Sequence, residues 1–115
     1  MSPLRPPRQS AELTRLRAEI DELDRRIVQL LNRRAELTVA VGHEKAALGR
    51  RAIRDRDRER EVLLRVSISN DGPVPQADLL AIYRRLIASA RALEAAERER
   101  LRRGEDSGPS EPPGA

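Results

Sequence analysis

The chain has 115 residues, 37% charged and 1% aromatic, with neither Phe nor Trp, and a formal net charge of +4. That length bounds it to a single domain, and a core limited to Leu, Ile, Val and Ala suits packed helices better than a β-sandwich. It has no cysteine and one histidine, His43, which excludes disulfides, thiolate metal sites and His-rich metal sites.

Met1 to Gln9 holds three prolines and two arginines and is expected to be a disordered tail, residues 1–9. Ser10 is a suitable N-cap, with Glu12 near the positive end of the helix dipole. From there an apolar stripe runs through Leu13, Leu16, Ile20, Leu23, Ile27, Leu30, Leu37, Val41 and Leu48, in steps of three and four. That spacing predicts one long helix to about Leu48, packed along its length, with Gly49 as its C′ residue. Such a helix is roughly 50 Å long at ~1.5 Å per residue. A compact domain of this size has a radius of gyration of only about 13 Å. The distal stripe therefore calls for a partner, and a two-fold homodimer is the commonest one.

The stripe breaks at Arg34, between Leu30 and Leu37. Lys45 returns to within roughly 20° of the same face. Two cations on a burying face are costly unless something anionic meets them.

Residues 50–54 read as a short connector. Asp55 can cap a second helix, from about Arg56 to Ser69, with Val62, Leu63, Val66 and Ile68 as its apolar positions. Asn70-Asp71-Gly72-Pro73 is a turn signal, and Pro75 suits the start of a third helix. That helix runs from about Gln76 to Arg102, with Leu79, Ile82 or Tyr83, Leu86, Ala90 and Leu93 as its stripe. Tyr83 is expected in the core and His43 on the surface. Gly, Glu, Asp, Ser and Pro dominate the remainder, and a disordered tail is expected over residues 104–115. The expected fold is all-α, with long, short and medium helices in a domain of residues 10–103. No apolar run approaches the ~20 residues of a membrane span. The N-terminus lacks an apolar secretory core, so a cytoplasmic location follows by default.

The polar residues that such an interior would have to tolerate are Arg34, Lys45, Arg58, Glu59 and Glu94, with Arg17 beside the stripe. Arg17 and Arg34 are about 26 Å apart along one helix, so one small ligand reaches both only if Arg17 comes from a second chain. A pocket of Arg and Lys with few acids suits a small dicarboxylate, because guanidinium forks match carboxylates bidentately. No Ser-His pair, Gly-rich phosphate loop or metal set supports nucleophilic, nucleotide or metal chemistry. Taken one at a time, each of these residues also has a plain reading. Arg34 can snorkel, and Lys45, Arg17, Arg58, Glu59 and Glu94 can be solvated charges.

Together, Leu16-Arg17, Ile20-Asp21, Leu23-Asp24, Leu30-Leu31, Arg33-Arg34, Glu36-Leu37, Val41-Gly42, Lys45 and the run from Arg54 through Asp55 and Arg58-Glu59 to Arg60 resemble the all-helical chorismate mutases. The resemblance covers roughly Leu13 to Glu94. It implies an intertwined helical homodimer in which each active site borrows one arginine from the partner's long helix. Arg17 would be that arginine, on one substrate carboxylate, and Arg34 would hold the other. Lys45 would contact the ether oxygen of the breaking C–O bond and a carboxylate. Asp55, Arg58 and Glu59 match a helix-2 cluster whose glutamate takes the ring hydroxyl. Ala90 stands where the family often has Ser. Glu94 stands where bacterial members commonly carry Gln, and a carboxylate donates a hydrogen bond only when protonated.

The implied reaction is the rearrangement of chorismate to prephenate, without a cofactor. Relatives acting on isochorismate or 4-amino-4-deoxychorismate share the dianionic ring, and the arginines do not separate the three. With no further domain in the sequence, a monofunctional enzyme is expected. Docking on the first enzyme of the shikimate pathway, which some small bacterial mutases use, remains an open partner. The competing class is a helical nucleic-acid- or protein-binding module, favoured by a pI near 10.8 and by Arg-rich segments at 50–60 and 98–103. Acids interleave nearly every basic run, and a single tyrosine offers no stacking platform for bases. No nucleic-acid or membrane partner is therefore expected.

Overall fold

The structure is a computed structural model of one chain and describes residues 10–49 and 55–104. Among them are three α-helices and no strand: α1, Ala11–Ala47; α2, Arg56–Ser69; and α3, Gln76–Arg102. The expected tails, apart from Gly104, and the expected connector over 50–54 lie outside the described residues. The chain divides into two units, residues 1–34 and 35–115.

The first unit holds the start of α1. Ser10 caps it: the Leu13 N–H donates to Ser10 Oγ at 3.0 Å and the Thr14 N–H to the Ser10 carbonyl at 3.0 Å. The filler residues are good helix formers, and Arg15 is bonded to Glu12 and Glu19 along the surface. The apolar stripe itself is open in the single chain. Ile20 is 55% exposed and Leu30 68% exposed.

The second unit holds the end of α1 with α2 and α3. Gly49 closes α1 at φ 73°, a left-handed C′ position that a Cβ would strain, and its N–H donates to the Ala46 carbonyl at 3.0 Å. Asp55 caps α2, its Oδ1 accepting from the Arg58 N–H at 3.0 Å. Asp57 and Glu59 in the first turn suit the dipole. The turn after α2 is tied by side chains. Asn70 Nδ2 donates to the Val74 carbonyl at 3.0 Å and to Gln76 Oε1 at 2.8 Å, and Gln76 Nε2 donates to the Ser67 carbonyl at 3.2 Å.

Pro75 is the N-cap of α3 and Gln76 its first residue, one position later than a proline starting the helix. The absent proline N–H costs nothing there, and its carbonyl accepts from the Leu79 N–H at 3.0 Å. α2 packs on α3 through half-buried Val62, Leu63 and Val66 on one side and Leu79, Tyr83 and Leu86 on the other. Ile68 and Ile82 are exposed, so Tyr83, not Ile82, takes the inner face. Ile87, which the predicted stripe omitted, is the most buried apolar side chain described, at 7% exposure.

Candidate functional site

The described residues bury two carboxylates on α3, Glu94 and Glu97. Burying an acid is unfavourable without a counter-charge, and the last turns of α1 supply one. Lys45 Nζ donates to Glu94 Oε1 at 2.7 Å, and both side chains are only 12% exposed. This is a charge-assisted contact largely out of water, where it is stronger than a surface pair.

One turn along, His43 Nδ1 lies 3.3 Å from Glu97 Oε2. Arg100 donates to both oxygens of Glu97 at 2.9 Å. His43 is thus half exposed yet tied across helices, where the sequence suggested only a surface residue.

Gly42 explains why α1 and α3 come so close here. It is the one described α1 residue that is buried. An ideal Cβ on it would lie 3.0 Å from Glu94 Cα, 3.3 Å from the Glu94 carbonyl oxygen and 3.4 Å from Glu94 Cβ. Glycine inside a helix costs about 1 kcal/mol relative to alanine. Its use three residues before Lys45 exchanges local helix stability for contact with the α3 backbone beside Glu94.

The second helix contributes differently. Asp55 is committed to its cap. Arg58 is largely exposed and donates to Glu61 on its own helix at 2.7 Å. Glu59 faces α3, with Arg91 Nε 3.8 Å from its Oε2. Ala90, the neighbour of Arg91, is half-buried and offers no hydroxyl. Of the sequence candidates, the second unit therefore joins Lys45 to Glu94 and turns Glu59 toward α3. Arg17 and Arg34 belong to the first unit, Arg17 exposed and Arg34 half-buried.

Sequence reasoning passed over Gly42, Arg91, Glu97 and Arg100. The available signal was that Glu94 and Glu97 sit three apart on α3, while His43 and Lys45 end α1. The Glu99 carboxyl is held below its usual range, first by its hydrogen bond from Arg102, and Arg15 and Arg102 are raised by bonds to Glu12 and Glu99.

Comparison with known proteins adds an independent line. The family described as chorismate mutase type II matches residues 16–95. A bifunctional chorismate mutase/prephenate dehydratase of Aquifex aeolicus (strain VF5) is 38% identical over 87 residues, covering 72% of this chain and 24% of the relative. The bifunctional enzyme of the same description from Neisseria gonorrhoeae (strain ATCC 700825 / FA 1090) is 35% identical over 78 residues, covering 68% of this chain and 21% of the relative. The chain thus spans about a quarter of the length of these curated relatives.

Proposed function

The chain belongs to the chorismate mutase type II family, and from that membership we propose that it rearranges chorismate to prephenate, a step of aromatic amino acid synthesis suited to a cytoplasmic setting. The observation that carries the reading furthest is the Lys45–Glu94 pair, an ammonium held against a carboxylate largely out of water. The reaction is a unimolecular pericyclic step. One C–O bond breaks and one C–C bond forms within the same molecule, so no nucleophile, proton transfer or cofactor enters. The protein has to hold the compact chair conformer and to put positive charge where the ether oxygen gains electron density.

In this reading Lys45 donates to the ether oxygen and to a carboxylate, with Glu94 aiming it. Arg34 grips one substrate carboxylate, and Arg58 helps once substrate draws it from Glu61. Glu59 accepts from the ring hydroxyl, Asp55 keeps α2 in register, and Ala90 lines the pocket without a hydrogen bond.

The second carboxylate falls to Arg17 of a partner chain, in an intertwined homodimer. The open stripe of α1 supports that assembly. Leu13, Leu16, Ile20, Leu23, Ile27 and Leu30 are all exposed in one chain, and a continuous apolar face of this length marks an interface. The arginine lies about 26 Å along the helix from Arg34, which again calls for a second copy. Docking on the first enzyme of the shikimate pathway is a further partner, tested by kcat/KM with and without that enzyme.

The deciding experiment follows loss of chorismate by ultraviolet absorbance, with isochorismate and 4-amino-4-deoxychorismate in parallel. Fastest turnover of chorismate is expected. A purified, folded protein inert toward all three would overturn the reading.

A further inference from the structure

The turn between α2 and α3 is held by side chains that reach across its tip and leave the tip itself uncommitted. Asn70 Nδ2 bridges to the Val74 carbonyl and to Gln76 Oε1, and Gln76 Nε2 reaches back to the Ser67 carbonyl. Asp71 and Gly72 lie between these ties, both exposed. Among the described residues the Asp71 carboxyl group has no hydrogen-bond or ion-pair partner, and the Gly72 N–H donates to no carbonyl. A Cβ built on Gly72 would meet nothing within 4 Å, so the space around the residue is open.

That combination has a chemical consequence. The backbone nitrogen that follows an aspartate can close a five-membered imide on the aspartate's own Cγ. Glycine favours the closure because it has no Cβ to hinder the approach and its backbone turns freely. An amide or carboxyl already engaged in a hydrogen bond is held back from it. The other described aspartates are held in this way. Asp55 Oδ1 accepts from the Arg58 N–H, which is also the amide that follows Asp57. The Leu79 N–H, next to Asp78, donates to the Pro75 carbonyl at 3.0 Å. Asp21 and Asp24 lie inside α1, where the helix ladder engages the amide that follows.

We propose that Asp71–Gly72 is a site of spontaneous covalent modification, at which the main chain is rerouted through the Asp71 side chain. The Gly72 nitrogen bonds to Asp71 Cγ, and one Cγ oxygen leaves as water with the amide proton and a proton from solvent. Water then adds to the main-chain carbonyl carbon of Asp71, the original C–N bond breaks, and the proton returns to solvent. The product is isoaspartate. It has the same atoms, one more methylene in the main chain and a free α-carboxylate, and nothing is oxidised or reduced. The longer main chain falls inside the span that Asn70 bridges to Val74 and Gln76. Those bonds lose their register, and the α2–α3 turn loosens. The inference stands apart from the mutase reading.

The test ages the purified full chain in neutral buffer at physiological temperature and samples it over weeks. Trypsin, cutting after Arg65 and Arg84, releases residues 66–84, which carry both Asp71 and Asp78. The expected result is a second form of this peptide with a shifted retention time and unchanged mass, which separates it from deamidation of Asn70. Fragmentation places the change at Asp71. An isoaspartyl carboxyl methyltransferase, given a labelled methyl-sulfonium donor, labels the aged chain in proportion. Asp71→Glu, whose ring would be six-membered, and Gly72→Ala, which puts a methyl beside the nitrogen, lose most of the shifted form over the same period. Each variant is first checked for helicity. Aged wild type melts at a lower temperature than fresh protein. An aged wild type without the shifted form, isoaspartate at Asp78 as abundant as at Asp71, or an undiminished form in folded Gly72→Ala overturns the proposal. A sample rich in isoaspartate that melts as fresh protein does overturns the loosening of the turn.

Discussion

Replacing Gly42 by alanine tests whether the approach of α1 to α3 sets the geometry of the Lys45–Glu94 pair. The added methyl would sit 3.0 Å from Glu94 Cα and 3.3 Å from its carbonyl oxygen, both backbone atoms that cannot swing aside. Comfortable carbon contacts begin near 3.5–4.0 Å, so the helices must part locally by about 0.5–1 Å. Overpacking of this kind costs roughly 1–3 kcal/mol, and the better helix propensity of alanine returns about 1 kcal/mol. The expected net loss is ~0–2 kcal/mol, which keeps the chain folded at room temperature. Activity should suffer more, because a shift near 1 Å in a catalytic group can cost about a hundredfold. We expect kcat/KM for chorismate to fall roughly 10- to 100-fold, mostly in kcat, with helicity by circular dichroism retained. Gly72→Ala is the control: a Cβ there meets nothing within 4 Å and the residue lacks a positive φ, so neither stability nor rate should change. A folded Gly42→Ala with a rate within about twofold of wild type would refute the link between helix spacing and catalysis.

Lys45→Ala removes the proposed donor to the ether oxygen, and kcat/KM should drop at least about a hundredfold, since such donors are typically worth ~2.7–4 kcal/mol; near-wild-type activity would take Lys45 out of the mechanism. Glu94→Gln keeps the side chain's shape and supplies an amide that donates without a proton; kcat/KM should be retained, and a loss as large as that of Lys45→Ala would tie the rate to the charge of the Lys45–Glu94 pair. Mixing the inactive variants Arg17→Ala and Lys45→Ala under subunit exchange should restore about a quarter of wild-type activity, because half the dimers are mixed and each mixed dimer rebuilds one of two sites. No recovery after demonstrated exchange would place Arg17 outside a shared site.

The helix borders were legible because their signals are local. Ser10, Asp55, Gly49 and the Asn70-to-Pro75 segment act on backbone groups within a few residues of themselves, and local chemistry reads directly from order in the chain. The inner face of α3 was only half legible. Leu79, Leu86, Ala90 and Leu93 were rightly placed on it, but its most buried positions are Ile87, Glu94 and Glu97. A hydrophobic period counts a glutamate as a gap. Burial of Glu94 and Glu97 depends on Lys45, His43 and Arg100 reaching them, and the first two lie about fifty residues away, at the end of another helix.

The same reasoning says why the family resemblance and the bare pattern point to one place. Lys45 looked misplaced because the stripe alone supplies no anion for it, and Glu94 looked like a surface residue because Arg91 and Arg98 flank it on α3 at the spacing of pairs on a solvated face. Each anomaly resolves the other at 2.7 Å. What neither anomaly contains is the helix spacing, and that comes from the absent side chain at position 42, whose cost to α1 is recovered only through what it allows on α3. Arg34 remains the stripe's other interruption. It lies in the first unit, half-buried, and its expected use follows from the same electrostatic argument. A guanidinium on an otherwise apolar helix face suits the bidentate grip on one carboxylate proposed for it, since its planar fork matches a carboxylate's two oxygens.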